Sequence, residues 1–552
     1  MKIALAQLNY HIGNFEGNLS KMLAAVESAK NQGADLICFG ELAVCGYPPR
    51  DFLEFDDFIQ QSYESVKALR HASRGIGIVV GAPTRNPFLE GKDLYNSAYF
   101  LHDGQVVGVQ HKTLLPTYDI FDEYRYFEPA TEFRTIEFKG KKIALSICED
   151  IWNVGNENPL YTICPLDEMM PEQPDFIINI SASPFDYAHA AERIRVVRAN
   201  VERYKIPMFY VNHVGAQTDI VFDGGSVVMS PDGKVFDEMP YFEEHLKIYD
   251  LEEVVRPSSI ETSAGKGGEQ PKEKTRLIHD ALVLGIHDYF QKLNFKKAIL
   301  GLSGGIDSAV TAVLAARALG PENVRVLLMP SQFSSGHSVD DARQLAENLG
   351  IQYDIVAIKP MYESFEAALQ PHFAEQPFNV TEENIQARVR GILLMAMSNK
   401  FGHILLNTTN KSEMAVGYGT LYGDMCGGIS VLGDVYKTEI YELAKYINMD
   451  AEVIPQNSIS KPPSAELRPG QKDSDSLPPY EVLDPLLYQY IECRQGPREL
   501  VEMGFDEALV KRVLRMVNIN EFKREQAAPV LRVSSKGFGM GRRMPIVGKY
   551  LS

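Results

Sequence analysis

The 552-residue sequence has no apolar run that approaches the length of a bilayer-spanning helix. Its opening stretch, MKIALAQLNYHIGN, holds too short an apolar core for a secretory signal. The expected setting is therefore a reducing cytoplasm, with no membrane as partner. The six cysteines, Cys38, Cys45, Cys148, Cys164, Cys426 and Cys493, form no Cys-x-x-Cys pair and no metal-ligand spacing, which excludes a disulfide scaffold. Positive charge is also short. Against 73 acidic residues stand 55 basic ones, a net −18 that repels phosphate backbones and argues against nucleic acid as a partner. No internal repeat occurs at solenoid periods.

The chain is too long for one ordinary core, so two or more domains are expected. In the first half, β-rich runs (KIALAQL, ADLICFGE, GIGIVVGAP, KKIALSIC, DFIINIS, IPMFYVNHVG) alternate with helical patterns near 15–32, 55–73 and 188–204. Two Asp-Gly turns, in FLHDGQVVGV and VMSPDGKVFDEM, predict hairpins and hence a mixed sheet. The Gly- and Lys-rich stretch 262–274 reads as a linker between a domain over 1–261 and another over 275–552. Beyond it the order helix 275–292, KKAILGLS, helix 306–319, NVRVLLMP, helix 338–349, QYDIVAI, helix 381–401, HILLNTT predicts a doubly wound parallel sheet with a mainly helical C-terminal region. Segment 456–479, dense in Pro, Ser and charge, cannot bury enough apolar surface to offset its ordering entropy. It is expected to act as a lid.

Three polar residues each end an apolar run in the first half: Glu41 in DLICFGE, Lys112 in QVVGVQHK and Cys148 in KIALSIC. Rigid strand ends opening onto loops are where sites form. Brought together, the three make an acyl-transfer set: Glu41 takes the thiol proton, Cys148 attacks a carbonyl, and Lys112 stabilises thiolate and oxyanion. Glu149 and Asp150, directly behind the cysteine, work against a thiolate unless Lys112 offsets them or their side chains point away. The plain alternative is a buried structural cysteine flanked by solvated charges.

The blocks GELAVCGYPPRD, HKTLLPTYDIFDEYRYFEPA and SICEDIW, in this order, resemble the three signature blocks of the nitrilase superfamily of carbon–nitrogen hydrolases. They resemble in particular the glutaminase domain of glutamine-dependent NAD synthetases. The resemblance implies an αββα sandwich with Glu41 as general base, Lys112 as charge stabiliser and Cys148 as nucleophile. It further implies that Tyr118, Glu123, Ser183 (in NISASPF) and His189 contact glutamine or orient the triad.

In the second half, ILGLSGGIDSAV follows an apolar strand and opens a helix. Backbone N–H groups of Ser303, Gly304 and Gly305, with the Ser308 hydroxyl, can cradle anionic oxygens at the helix N-terminus. The string is neither Gly-x-x-x-x-Gly-Lys-Ser/Thr nor Gly-x-Gly-x-x-Gly. It resembles the pyrophosphate loop of N-type ATP pyrophosphatases, and the resemblance makes Gly301, Leu302, Ser303, Gly304, Gly305, Ile306, Asp307 and Ser308 an ATP-binding run with Asp307 on Mg²⁺. By the same resemblance Thr408 and Lys437 contact ATP, Glu413 serves metal or dinucleotide, and Asn384 and Lys523 bind the dinucleotide. Taken singly, Thr408 could end a strand, Asn384 could cap a turn and Lys437 could be a solvated helix residue.

What the family resemblance implies is an ATP-driven amidation of nicotinic acid adenine dinucleotide (deamido-NAD) to NAD through an acyl adenylate. Glutamine supplies the ammonia, Mg²⁺ is the cofactor, and the chain forms a homo-oligomer. Two alternatives stay open: another glutamine amidotransferase acting on a different acceptor acid, and a non-enzymatic glutamine or nucleotide sensor.

Overall fold

The computed structural model describes residues 1–158, 160–256, 271–373 and 376–550. They fall into two compact units, Met1–Gly268 and Glu269–Ser552. Most of the linker expected at 262–274 lies outside the described residues. Its end is already helical, because the helix expected to begin at 275 begins at Pro271. Proline is favoured in a first turn, where its missing N–H has no helical partner to lose.

The first unit contains two six-stranded sheets. One carries, in spatial order, strands His245–Asp250, Lys2–Gln7, Leu36–Cys38, Gly77–Arg85, Leu94–His102 and Gln105–His111; the other carries Val235–Glu238, Val227–Met229, Met208–Val211, Phe176–Ile180, Lys141–Ile147 and Ile136–Phe138. Both expected hairpins are present, Phe100 opposite Gly108 and Val228 opposite Asp237, and both sheets are mixed. Strand alternation sets the layers. Ile3 and Leu5 join Ile143, Leu145, Phe176 and Ile178 in the core between the sheets. Their neighbours Ala4 and Ala6 face outward, against Met22, Val26, Ile59 and Val66 of helices Phe15–Asn31 and Asp56–Ala72. On the far side Ala144, Ile177 and Met208 pack on Val197 and Val201 of helix His189–Tyr204. Helix, sheet, sheet and helix form the four layers expected, and strands buried on both faces are accordingly apolar at successive positions.

The second unit is built on a five-stranded, all-parallel sheet in the order Gln352–Ile355, Val324–Leu328, Lys297–Gly301, His403–Asn407, Ile429–Ser430. The chain steps outward twice, then returns past its starting strand. This reversal leaves a cleft beyond the carboxyl ends of Lys297–Gly301 and His403–Asn407. Helix Val380–Phe401 leads into the returning strand, and the C-terminal helices assemble their own core around Leu483, Leu487, Val513 and Val517.

Candidate functional site

The first-unit candidates meet at the strand ends. Gly81 permits this: a Cβ there would lie 2.2 Å from the Leu42 nitrogen, so only glycine lets residues 40–42 run against strand Gly77–Arg85. Glu41 is fully buried there. Its Oε1 accepts from Lys112 Nζ at 2.7 Å and from Asn96 Nδ2 at 2.7 Å, and its Oε2 accepts from the Ala182 N–H at 3.0 Å. Lys112 Nζ also donates to Glu123 Oε1 at 2.8 Å, the atom that accepts from the Tyr47 hydroxyl at 2.8 Å. One ammonium thus faces two carboxylates. Burial, ahead of every other influence, pushes Glu123 up to about 7, and Lys112 only partly offsets it.

Cys148 follows strand Lys141–Ile147 and opens a short 3₁₀ turn, with φ at +44°. A non-glycine residue in the left-handed region carries strain of order 1–3 kcal/mol and marks a side chain held in a special direction. Burial and then Glu41 hold its thiol well above the ordinary range, with Lys112 pulling the other way. At neutral pH the sulfur is a thiol and needs a base to become a nucleophile.

The acids behind it are spoken for. Glu149 Oε1 accepts from the hydroxyls of Tyr118 at 2.9 Å and Tyr161 at 2.7 Å. Asp150 accepts from the backbone N–H groups of Thr113 at 3.0 Å, Leu114 at 2.9 Å and Ile147 at 3.1 Å. Asp150 therefore ties the segment after Lys112 to the strand end before Cys148, while burial raises it to about 6. Ser183 Oγ lies 2.7 Å from His189 Nε2, and the His189 ring stacks on Trp152 at 5.3 Å. Asn212 Oδ1 accepts from the Ser183 N–H at 2.8 Å. Sequence reasoning missed Asn96, Tyr47 and Asn212. For Asn96 the signal was present: a lone amide inside the apolar strand LYNSAYFLH.

In the second unit the cleft holds a cavity of about 310 Å³. Gly301, Leu302, Ser303, Gly305, Ile306, Asp307, Ser308, Thr408, Glu413 and Lys437 all line it. Gly304 does not. It has φ +80°, a Cβ on it would sit 2.2 Å from the Ser338 carbonyl oxygen, and its own carbonyl accepts from Ser458 Oγ at 3.0 Å. Its role is to let the loop turn. Ser303 and Ser308 brace that turn, Oγ to Oγ at 3.1 Å, and Gly305 precedes helix Ile306–Leu319 with no side-chain cap on its N–H groups. Asp307 accepts from Asn410 Nδ2 at 2.9 Å and pairs with the buried Lys437, whose Nζ is 4.0 Å from Glu413. Burial, then Asp307, holds the Glu413 carboxyl well above its usual range. Asp473, on the segment expected to be a lid, joins this acidic wall, its carboxylate accepting from Tyr418 and Tyr480. Segment 456–479 begins in the short helix Gln456–Ser460 and supplies Ser458 and residues 461–467 to the cavity lining.

Asn384 and Lys523 lie outside that lining. Asn384 Oδ1 accepts from Thr420 Oγ1 at 2.8 Å, and Lys523 Nζ donates to the carbonyls of Gly417 at 2.8 Å and Gly419 at 2.9 Å. Both hold the loop that carries Asp424 to the cavity edge.

Among the described residues no helix is long and apolar enough to cross a membrane. The family model for carbon–nitrogen hydrolases matches residues 2–162 and that for NAD synthases residues 278–527. A glutamine-dependent NAD(+) synthetase of Synechocystis sp. is 45% identical over 99% of this chain and 98% of its own length. One from Thermotoga maritima is 40% identical over 100% and 99%. Among solved structures, the glutamine-dependent NAD+ synthetase of Acinetobacter baumannii in complex with ADP superposes with a TM-score of 0.77 at 38% identity, covering 99% of this chain and 98% of that one.

Proposed function

We propose a division of labour between two sites for this chain, which belongs to the family of glutamine-dependent NAD(+) synthetases. The enzyme is a ligase that amidates the carboxylate dinucleotide to NAD(+), with ATP as co-substrate and glutamine as nitrogen donor. The first unit, with residues 1–261 as its functional domain, hydrolyses glutamine; the second, 275–552, activates the acceptor.

Cys148 attacks the glutamine amide carbon as Glu41 takes the thiol proton. Lys112, already protonated and fixed between Glu41 and Glu123, stabilises the developing oxyanion. Glu41 then returns the proton to the departing ammonia, and water releases glutamate from the thioester. Tyr118, Ser183 and His189 bind the glutamine, and Glu123 orients Lys112. The observation that carries this reading is the Glu41–Lys112 contact of 2.7 Å, fully buried, between side chains 71 residues apart.

In the second unit the residues 301–308, with Gly304 as the turn that shapes the loop, Thr408 and Lys437 hold ATP, while Glu413 serves the dinucleotide directly and Asn384 and Lys523 serve it through the loop they hold. A carboxylate does not react with ammonia unaided, and adenylation turns its oxygen into a leaving group, AMP. The cavity walls fit Mg²⁺. Asp307 and Glu413 present hard carboxylate oxygens to it, and burial, then Asp307, holds the Glu413 carboxyl well above its usual range, which a cation there would relieve. Asp307 and Glu413 would hold the ion. Bound there, it supplies charge neutralisation on the departing pyrophosphate. The chain works as a homo-oligomer in the cytoplasm, without nucleic acid.

Replacing Cys148 with alanine tests the division. Glutamine-driven synthesis should fall by about 10⁴-fold or more, while synthesis from ammonium stays within about twofold. Equal loss of both in a folded variant would refute it.

A further inference from the structure

Three cations line the nucleotide cavity: Arg390, Lys437 and Lys461. Two have partners. Lys437 is paired with Asp307 and lies near Glu413. Lys461 donates to Ser338 Oγ at 3.0 Å and is 3.8 Å from Asp341. Arg390 differs. Its Nε donates to the Met329 carbonyl at 3.1 Å, and among the described residues its two terminal nitrogens have no acceptor and no carboxylate at ion-pair distance. The nearest acids are engaged elsewhere: Asp424 accepts from the Thr420 N–H, and Glu466 accepts from Ser335 Oγ and Ser338 Oγ. Burial pushes the guanidinium down to about 10, and Asp424 and Glu466 only partly offset it. A half-buried guanidinium whose fork no group of the protein answers is suited to an incoming anion.

The anchor says which anion. Arg390 hangs from the carbonyl just past strand Val324–Leu328, beside Leu327, Met329 and Leu394, the apolar stretch of the cavity and the wall that suits a purine. Leu394 lies one helical turn beyond Arg390, and both it and Met329 reach Gly301, where the phosphate loop starts, at 3.5 and 3.2 Å from a Cβ built there. The far end of the phosphate chain already has the loop, Ser308 and Lys437. Resting on the cavity being the ATP site, we propose that the Arg390 fork grips the phosphate nearest the nucleoside, and holds that same phosphate in the acyl adenylate. Arg390 would thus keep the adenylate in place after pyrophosphate has left.

The test uses the full-length chain and three probes, AMP, adenosine and pyrophosphate, titrated by calorimetry. With Arg390→Met, AMP should bind about 10–100-fold more weakly, while adenosine and pyrophosphate stay within about twofold. Arg390→Lys keeps the charge but not the fork and should recover part of the loss. Because the fork has no protein partner, neither variant should melt earlier by more than a degree or two. Unchanged AMP affinity, or an equal loss for pyrophosphate, would overturn the assignment. Failure of AMP to bind the unaltered chain would instead bring down the reading of the cavity, and this inference with it.

Discussion

Glu123→Gln removes one of the two carboxylates that share Lys112. In the folded chain Glu123 is raised from 4.5 to about 7 by burial, against which Lys112 and the Tyr47 hydroxyl act only in part. The folded state therefore binds more protons than the unfolded state between those values, and stability falls as pH rises through the window. At about 1.4 kcal/mol per tenfold in proton affinity, the full span is worth roughly 3 kcal/mol. Glutamine does not titrate, and its carbonyl can still accept from Lys112 and Tyr47, whose donors both converge on Oε1. Between pH 5 and pH 8 the variant should therefore gain about 2–3 kcal/mol on the parent protein, or about 5–10 °C in the melting of this unit. Asp150, raised to about 6, adds to the slope of both proteins and cancels in the difference. The assay is built in: Trp152, the chain's single tryptophan, lies in this unit, so its fluorescence in urea follows this unfolding alone. Parallel stability curves for the two proteins from pH 5 to pH 8 would refute the idea that Lys112 leaves one carboxylate uncompensated.

Other outcomes follow from the second unit. Asp307→Ala should stop synthesis from glutamine and from ammonium alike, and near-normal release of AMP would remove Asp307 from the mechanism. Gly304→Ala forces a Cβ to 2.2 Å from the Ser338 carbonyl at a positive φ, so the KM for ATP should rise at least tenfold while glutamine hydrolysis by Cys148 persists. Limited proteolysis within 456–479 should be rapid in the free protein and slow with ATP and dinucleotide present; equal rates would leave a passive loop.

What the sequence determines by itself is what depends on local order. Strand alternation, the Asp-Gly turns and the strand–glycine–helix string at 297–308 act over a few residues, so the mixed sheet, both hairpins and the glycine loop were legible in the sequence, while the four layers were implied only by the family resemblance. That Glu41, Lys112 and Cys148 each end an apolar run was legible for a related reason, while the choice of catalytic roles for them came from the family resemblance. The helix expected from 275 begins at Pro271, because a first turn carries charge and proline rather than apolar periodicity. Only tertiary structure could decide which polar groups meet. Asn96 reaches Glu41 across 55 positions, Asp150 catches the N–H groups of Thr113 and Leu114, and Asn384 and Lys523 converge on one loop rather than on the cavity. Arg390 and Lys437 are both basic residues on helices in the sequence. In the fold one is answered by Asp307 and the other is left facing the cavity, because pairing depends on distances of a few ångströms that no spacing along the chain encodes.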